Sequence, residues 1–249
     1  MIALGARGAR AVLLDIEGTT TPIAFVHDVL FPFARARLSA FIKEPRHAGV
    51  LEEVSALLGK EHDGDVAAGE HPPGWEARTV ADARASLEAY LLWLMDRDRK
   101  SPGLKLLQGR IWEEGYRDGL LKGQVFPDVA PAIQRWRRAG LDVAIYSSGS
   151  VLAQRLLFES TSDGDLTGSI SGFFDTAVGA KTAAGSYARI ARIMTRQPAE
   201  IVFVSDVVTE LSAARSAGLQ TVLSIRPGNA PEHDASAFES IRTFDELGP

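Results

Sequence analysis

Five short apolar runs set the tightest limit on how this chain of 249 residues folds. They are "AVLL" (11–14), "LDVAIYSS" (141–148), "FFDTAVG" (173–179), "IVFVSD" (201–206) and "TVLSI" (221–225). Most are nearly continuous in apolar residues rather than alternating, which suits strands buried on both faces, as in a parallel sheet. Helical patterns separate the later runs: 131–139, closed by Gly140, then 151–159, 186–195, and 207–217, ending at Gly218. Strand and helix in alternation predict an α/β fold, a doubly wound parallel sheet of the Rossmann type. "RPGN" (226–229) after the fifth run is a turn signal.

Between the first two runs the pattern changes. Residues 26–123 carry no convincing strand. Val80, Ala83, Leu87, Leu91 and Leu94 keep the 3–4 spacing of an amphipathic helix. "GKEHDGDVAAGEHPPGW" (59–75) reads as a polar loop punctuated by Gly and Pro. The expected organisation is therefore an α/β core from 1–25 and 124–249, interrupted by a helical insertion at 26–123.

Composition narrows the function classes. A formal charge of −5 argues against non-specific nucleic-acid binding, and the absence of cysteine excludes disulfides, thiolate catalysis and Cys-bound zinc. No segment approaches the ~20 apolar residues that span a bilayer. Asp15 and Glu17 cut the first apolar run too early for a signal peptide. The expectation is a cytoplasmic monomer with a small-molecule partner and no membrane contact, preceded by a dispensable leader, "MIALGARGAR".

The chemistry lies at strand ends. Ligands of open α/β sheets bind beyond the carboxyl ends of the strands. There the sequence places Asp15 and Glu17, then Ser147 and Ser148, then Ser205 and Asp206, with Lys181 after the third run. That set suits phosphoryl transfer to a carboxylate. Asp15 would attack phosphorus, splitting one difficult displacement into two. A hard cation offsets the repulsion between carboxylate and phosphate; Mg²⁺ takes one or two carboxylates plus phosphate oxygens, and Asp15 and Asp206 fit. Lys181 and the Ser147 hydroxyl would hold the phosphoryl oxygens, and Glu17 would move the leaving-group and water protons.

Each residue also has an ordinary reading. An Asp at position 206 is a good N-cap for the helix that follows. Serines before Gly149 are common in turns, and a lone lysine is usually on the surface. Asp15 and Glu17 at the end of a buried strand resist this treatment, because ionised carboxylates there need partners. Four such features in chain order outweigh their separate ordinary readings.

"DIEGT" (15–19), "IYSS", Lys181 and "VSD" resemble, in order, the four motifs of the haloacid-dehalogenase-like hydrolases. The helical insertion sits where that superfamily inserts its type 1 caps. Glu17 stands where the superfamily usually has Asp. With "LLDIEGTTTPIAFVHDVLFPFA", "LQGRIWEEGY", "LKGQVFPDV" and "YSSGSV", that exchange resembles the enolase-phosphatase E1 family (acireductone synthases) of methionine salvage. The resemblance implies Mg²⁺-assisted enolisation of 2,3-diketo-5-methylthiopentyl-1-phosphate and removal of its phosphate to give the acireductone. It implies metal ligands at Asp15, Glu17 (through its backbone carbonyl) and Asp206, and substrate contacts from Ser147, Ser148 and Lys181. Glu210, one helical turn past Asp206, would support the metal through water or orient Lys181. The cap would close over the methylthio end, with Lys105, Arg110, Trp112 and Tyr116 as candidates, although a solvated helix face with a buried aromatic stripe accounts for them as well.

Rival classes fare less well. A response-regulator receiver also gathers Asp, Ser/Thr and Lys at strand ends, but its phospho-accepting Asp lies on the third strand and it has no such insertion. A general phosphomonoesterase of the same superfamily differs only at Glu17 and the cap motifs. A non-catalytic phosphate-binding protein would not need Asp15. Sequence signatures for P-loops, nucleophile elbows and zincins are absent. The histidines at 27, 47, 62, 71 and 233 have no ligand spacing, and His62, Asp63, Asp65, Glu70 and His71 read as a solvated surface cluster in the 59–75 loop.

Overall fold

The computed structural model describes residues 1–231 and 235–249, so His233 lies outside the described residues. The chain divides into two compact units, Met1–Asp28 with Leu121–Pro249, and Val29–Leu120.

The first unit is built on a six-stranded sheet. Its strands are β2 (Ala11–Leu14), β3 (Asp142–Tyr146), β4 (Gly172–Phe174), β5 (Ile201–Ser205), β6 (Gln220–Ser224) and β7 (Ser240–Ile241), in the order β4-β3-β2-β5-β6-β7. Every pairing is parallel; Leu14 aligns with Ile145 on one side and with Val204 on the other. The chain moves outward from β2 to β4 and then returns to the other side of β2, so the order reverses at β2, where an open sheet forms its crevice.

All four residues of β2 are buried, as the continuous apolar run requires. Ala11, Leu13, Ala144, Tyr146, Ile201 and Phe203 pack with residues of α7 (Ala184–Ile193) and α8 (Val208–Ser216). Their strand neighbours Val12, Val143 and Val202 point to the opposite face and are equally buried. Helix α5 (Val129–Arg138) packs against β3, and α6 (Val151–Glu159) against β4. Each fully buried Leu or Val on these faces contributes roughly 1.5–3 kcal/mol.

The third apolar run stops early as a strand. Asp175 follows Phe174 and its carboxylate accepts from the Ala177 N–H at 2.9 Å, which starts a 3-10 turn over Thr176–Val178. Strand β7 has no sequence signal because it is two residues long.

The leader is not the dispensable extension the sequence suggests. Strand β1 (Ile2–Ala3) pairs in parallel with β8 (Leu247–Gly248), and Leu4 is fully buried with its N–H donating to Gly248 O at 2.9 Å. Trp136 of α5 donates to Leu247 O at 3.1 Å and so ties this small ribbon to the unit's core.

The second unit contains α1 (Phe31–Lys43), α2 (Ala48–Ala67), α3 (Val80–Met95) and α4 (Pro102–Arg117), with no strand among its described residues. A capping box of Thr79 and Asp82 starts α3, and Ser101 with Pro102 starts α4. Val80, counted in the apolar stripe of α3, is in fact 71% exposed; the buried face is Leu87, Tyr90, Leu91 and Leu94.

The expected loop at 59–75 is half helix, because α2 continues to Ala67 across Gly59 and Gly64. His62 and Asp65 are therefore buried rather than solvated. Tyr90 donates to Asp65 at 2.7 Å, Arg99 pairs with it at 2.6 Å, and His62 packs against Tyr90 and Trp75. Helical periodicity turned both residues inward, where Tyr90 and Arg99 satisfy Asp65 and the Pro73 carbonyl, 2.8 Å away, accepts from the His62 ring.

Candidate active site

Motif one leaves the sheet through a tight turn. Asp15 N–H still donates to Val204 O at 3.0 Å, after which Thr19, Thr20 and Thr21 N–H all converge on Ile16 O. Gly18 adopts φ +66°, a conformation open to glycine at little cost. The Thr20 hydroxyl returns to Asp15 O at 3.1 Å. All three threonines are fully buried, and through its hydroxyl Thr20 fixes the peptide on which Asp15 stands.

Asp15 meets Lys181 directly, with Nζ to Oδ1 at 2.5 Å. Lys181 also reaches Glu210 Oε2 at 2.6 Å, and Glu210 in turn accepts from Ser205 Oγ at 3.0 Å. Two tyrosines hold the loop that carries the lysine. Tyr187 OH donates to Lys181 O at 2.7 Å and Tyr146 OH to Gly179 O at 2.9 Å. The Tyr146 ring lies 5.8 Å from the ammonium. Burial works against the Lys181 charge, but the Asp15 and Glu210 carboxylates outweigh it and hold its pKa above the ordinary value.

The fourth motif corrects the capping reading of Asp206. The N-cap of α8 is Val207, whose N–H donates to Ser205 Oγ at 3.2 Å, and Asp206 does not cap the helix. Its carboxylate lies instead over the motif-one turn: a Cβ on Gly18 would stand 2.2 Å from Asp206 Oδ2. Burial, followed by the Asp15 charge, pushes the Asp206 pKa up to about 7. Burial and Asp15 likewise raise Glu210 to about 7, against the pull of Lys181.

Ser147 follows β3, is buried, and accepts at Oγ from the Gly149 N–H at 3.2 Å, so it is a turn residue as well as a candidate substrate contact. Its own N–H donates to Phe174 O at 3.1 Å. Ser150, not Ser147 or Ser148, caps α6, through the Ala153 N–H at 3.3 Å. Ser148 is half-buried just ahead of that helix N-terminus, a position suited to an anion. Gln154 of α6 ties Gly149 O and Phe174 O together at 2.8 Å each, which fixes the serine loop to the end of β4. Glu17 is half-buried, with its backbone bridged to Thr21.

Asp15 and Asp206 thus follow the adjacent strands β2 and β5, Ser147 follows β3, and the loop after β4 brings Lys181 onto Asp15. Sequence reasoning gave Glu210 two alternative roles, and the Lys181 ion pair is the one the structure shows; it did not find Tyr146, Tyr187, Gln154, Arg226 or Asn229. In the helical unit, Arg110 pairs with Glu113 at 3.0 Å, Trp112 donates to Leu30 O at 2.8 Å, and Tyr116 is buried.

The donor set fits a divalent cation. The Asp15, Asp206 and Glu210 carboxylates face the Lys181 ammonium, and burial, followed by the Asp15 charge, raises the pKa values of Asp206 and Glu210. Among the described residues no three His, Cys, Asp or Glu side chains form a metal cage. Mg²⁺ does not ask for one: it is bound through one or two carboxylates with water and phosphate oxygens completing its shell.

A family model described as haloacid dehalogenase-like hydrolase matches residues 9–218. An enolase-phosphatase E1 of Synechococcus elongatus is 51% identical over 239 residues, covering 95% of this chain and 96% of that protein. One of Sorangium cellulosum is 45% identical over 247 residues, covering 99% and 100%. Among solved structures, the UTR4 protein of Saccharomyces cerevisiae superposes with a TM-score of 0.76 at 34% identity, covering 96% of this chain and all of that one.

Proposed function

The chain belongs to the haloacid dehalogenase-like hydrolases, and from that premise we propose that it is an enolase-phosphatase. It converts 2,3-diketo-5-methylthiopentyl-1-phosphate to the acireductone 1,2-dihydroxy-3-keto-5-methylthiopentene and phosphate, in methionine salvage. The observation that carries this reading is the Asp15–Lys181–Glu210 chain at the switch point of the sheet, in a sequence about half identical to named enolase-phosphatases over nearly its full length.

Asp15 and Asp206 side chains and the Glu17 carbonyl would hold Mg²⁺, which when bound supplies a Lewis acid that polarises the substrate's oxygens and offsets its charge. Glu17 accepts the proton that leaves the carbon bearing the phosphate ester, and the adjacent carbonyl oxygen takes a proton from solvent to become the enol. One methylene longer than Asp, Glu17 has the reach for this step as well as the next. Asp15 attacks phosphorus; the P–O bond to the substrate breaks, and Glu17 returns a proton to the departing oxygen. Glu17 then takes a proton from water, whose oxygen displaces Asp15 and releases phosphate. Throughout, Lys181 stays charged and holds the phosphoryl oxygens with the Ser147 and Ser148 hydroxyls, while Glu210 fixes the lysine.

The helical unit Val29–Leu120 takes the part of the cap in this reading. The enzyme is further read as a cytoplasmic monomer; among the described residues no helix is long and apolar enough to cross a membrane.

The test incubates purified protein with the diketone phosphate and Mg²⁺, following phosphate release together with the ultraviolet absorbance of the enol and acireductone. A generic phosphomonoester runs in parallel. EDTA-sensitive appearance of both signals, abolished in Asp15→Asn, is expected. Phosphate from the generic ester but not from the diketone would overturn the assignment.

A further inference from the structure

The turn "RPGN" stands behind the motif-one loop. Arg226 is buried between the rings of Phe126 and Phe244, 4.6 Å from each centroid. It pairs with Asp128 at 2.8 Å, and its Nε donates to Thr19 O at 3.0 Å. Three residues on, Asn229 Nδ2 donates to Gly18 O at 3.0 Å and to Ser224 O at 3.2 Å. The turn therefore grips two successive carbonyls of the peptide that follows Glu17.

Both partners of the Asn229 amide are carbonyl oxygens, which only accept, so the nitrogen must face them and Oδ1 must face elsewhere. That oxygen is buried and has no hydrogen-bond partner. Gly18 locates it. The point where a Gly18 Cβ would stand is 2.9 Å from Asn229 Oδ1 and 2.2 Å from Asp206 Oδ2. An unsatisfied acceptor and a candidate metal carboxylate thus border one small space, kept open because residue 18 has no side chain. Buried acceptors are rarely left empty. Asp206 holding a cation is ionised and has no proton to offer this one, whereas a cation-bound water does.

We propose that Asn229 is a positioning residue of the divalent-cation site, its Nδ2 fixing the Gly18 carbonyl and its Oδ1 accepting a hydrogen bond from a water on the cation. Arg226, locked by Asp128 and two aromatic rings, makes turn and motif-one loop one rigid piece. The inference rests on the metal reading above and deepens it: outer partners of this kind tune metal affinity.

The test measures Mg²⁺ binding without substrate, by calorimetric titration and by the rise in melting temperature on adding Mg²⁺, for wild type, Asn229→Ala and Asn229→Asp. Asn229→Ala should bind Mg²⁺ about 10–100-fold more weakly. Asn229→Asp keeps an acceptor and adds charge but gives up the donor to Gly18 O and Ser224 O, so its Mg²⁺ affinity should differ from wild type by more than twofold and its metal-free stability should fall. A purely structural asparagine would instead lower metal-free stability in both variants and leave Mg²⁺ affinity within twofold of wild type. That result overturns the proposal. If Asn229→Ala does not fold, Asn229→Asp decides alone. Wild type that binds no Mg²⁺ would sink the metal reading itself, a separate outcome from wild type that binds while Asn229→Ala matches it.

Discussion

Replacing Lys181 with methionine keeps the length of the side chain beside Tyr146 and removes the ammonium bonded to both Asp15 and Glu210. Breaking a buried ion pair from one side costs about 3–5 kcal/mol, because the other partner is left uncompensated. For a chain of 249 residues each kcal/mol moves the melting temperature by roughly 2–4 °C, so the loss is about 6–20 °C. The loss depends on pH with a definite sign. Asp206 and Glu210 titrate near 7 in the folded protein, raised first by burial and then by the Asp15 charge. An acid with a raised folded pKa binds more protons folded than unfolded, so stability is full below about pH 4 and declines as pH rises through about 7. Without the lysine that decline steepens. Scanning calorimetry in EDTA at pH 5, 6.5 and 8 should therefore show a deficit that is largest at pH 8 and shrinks at pH 5. An equal deficit at pH 5 and pH 8, or none at pH 8, refutes the electrostatic account of this site.

Gly18→Ala should cost roughly 1–2 kcal/mol for the left-handed backbone alone, and more because its Cβ would press on Asp206 Oδ2 from 2.2 Å. A urea midpoint and Mg²⁺ affinity both equal to wild type would contradict the turn geometry. Leu4→Ala, at a fully buried position, should lose about 2–5 kcal/mol in urea titration; a neutral result would mean the β1–β8 ribbon contributes nothing. In the helical unit, Tyr90→Phe removes the 2.7 Å hydrogen bond to buried Asp65 and should cost about 1–3 kcal/mol, read from the melting of that unit. Glu17→Asp should slow enolisation and dephosphorylation alike, and full rates for both half-reactions would remove the argument from reach.

The sheet was legible because burial on both faces demands continuous apolar runs, and "AVLL" and "IVFVS" can satisfy no other environment as well. Placement at the carboxyl ends of those runs was enough to select Asp15, Ser147 and Asp206, since strand polarity alone brings such positions to one edge. Helix α6 could be bounded to the residue, as Ser150 and the apolar spacing mark it locally. Local pattern failed where the deciding contact was distant. Nothing near His62 or Asp65 in the chain announces Tyr90 and Arg99, so a Gly-containing stretch of helix read as a loop. Nothing near Leu4 announces Gly248.

The site divides along the same line. Residue type and chain order by themselves supplied the candidates for a carboxylate nucleophile and an acid and base, with a lysine and a second carboxylate. Tertiary structure decided who holds whom: of the two roles open to Glu210 it shows the pair with Lys181, and Ser205 rather than Asp206 serves the turn into α8. It also joined "RPGN" to Gly18, 211 residues apart in the chain. The physical reason is that periodicity and burial are summed over a few consecutive residues and leave their mark in sequence. Charge pairing and hydrogen-bond satisfaction are settled between side chains that meet only after the sheet has formed.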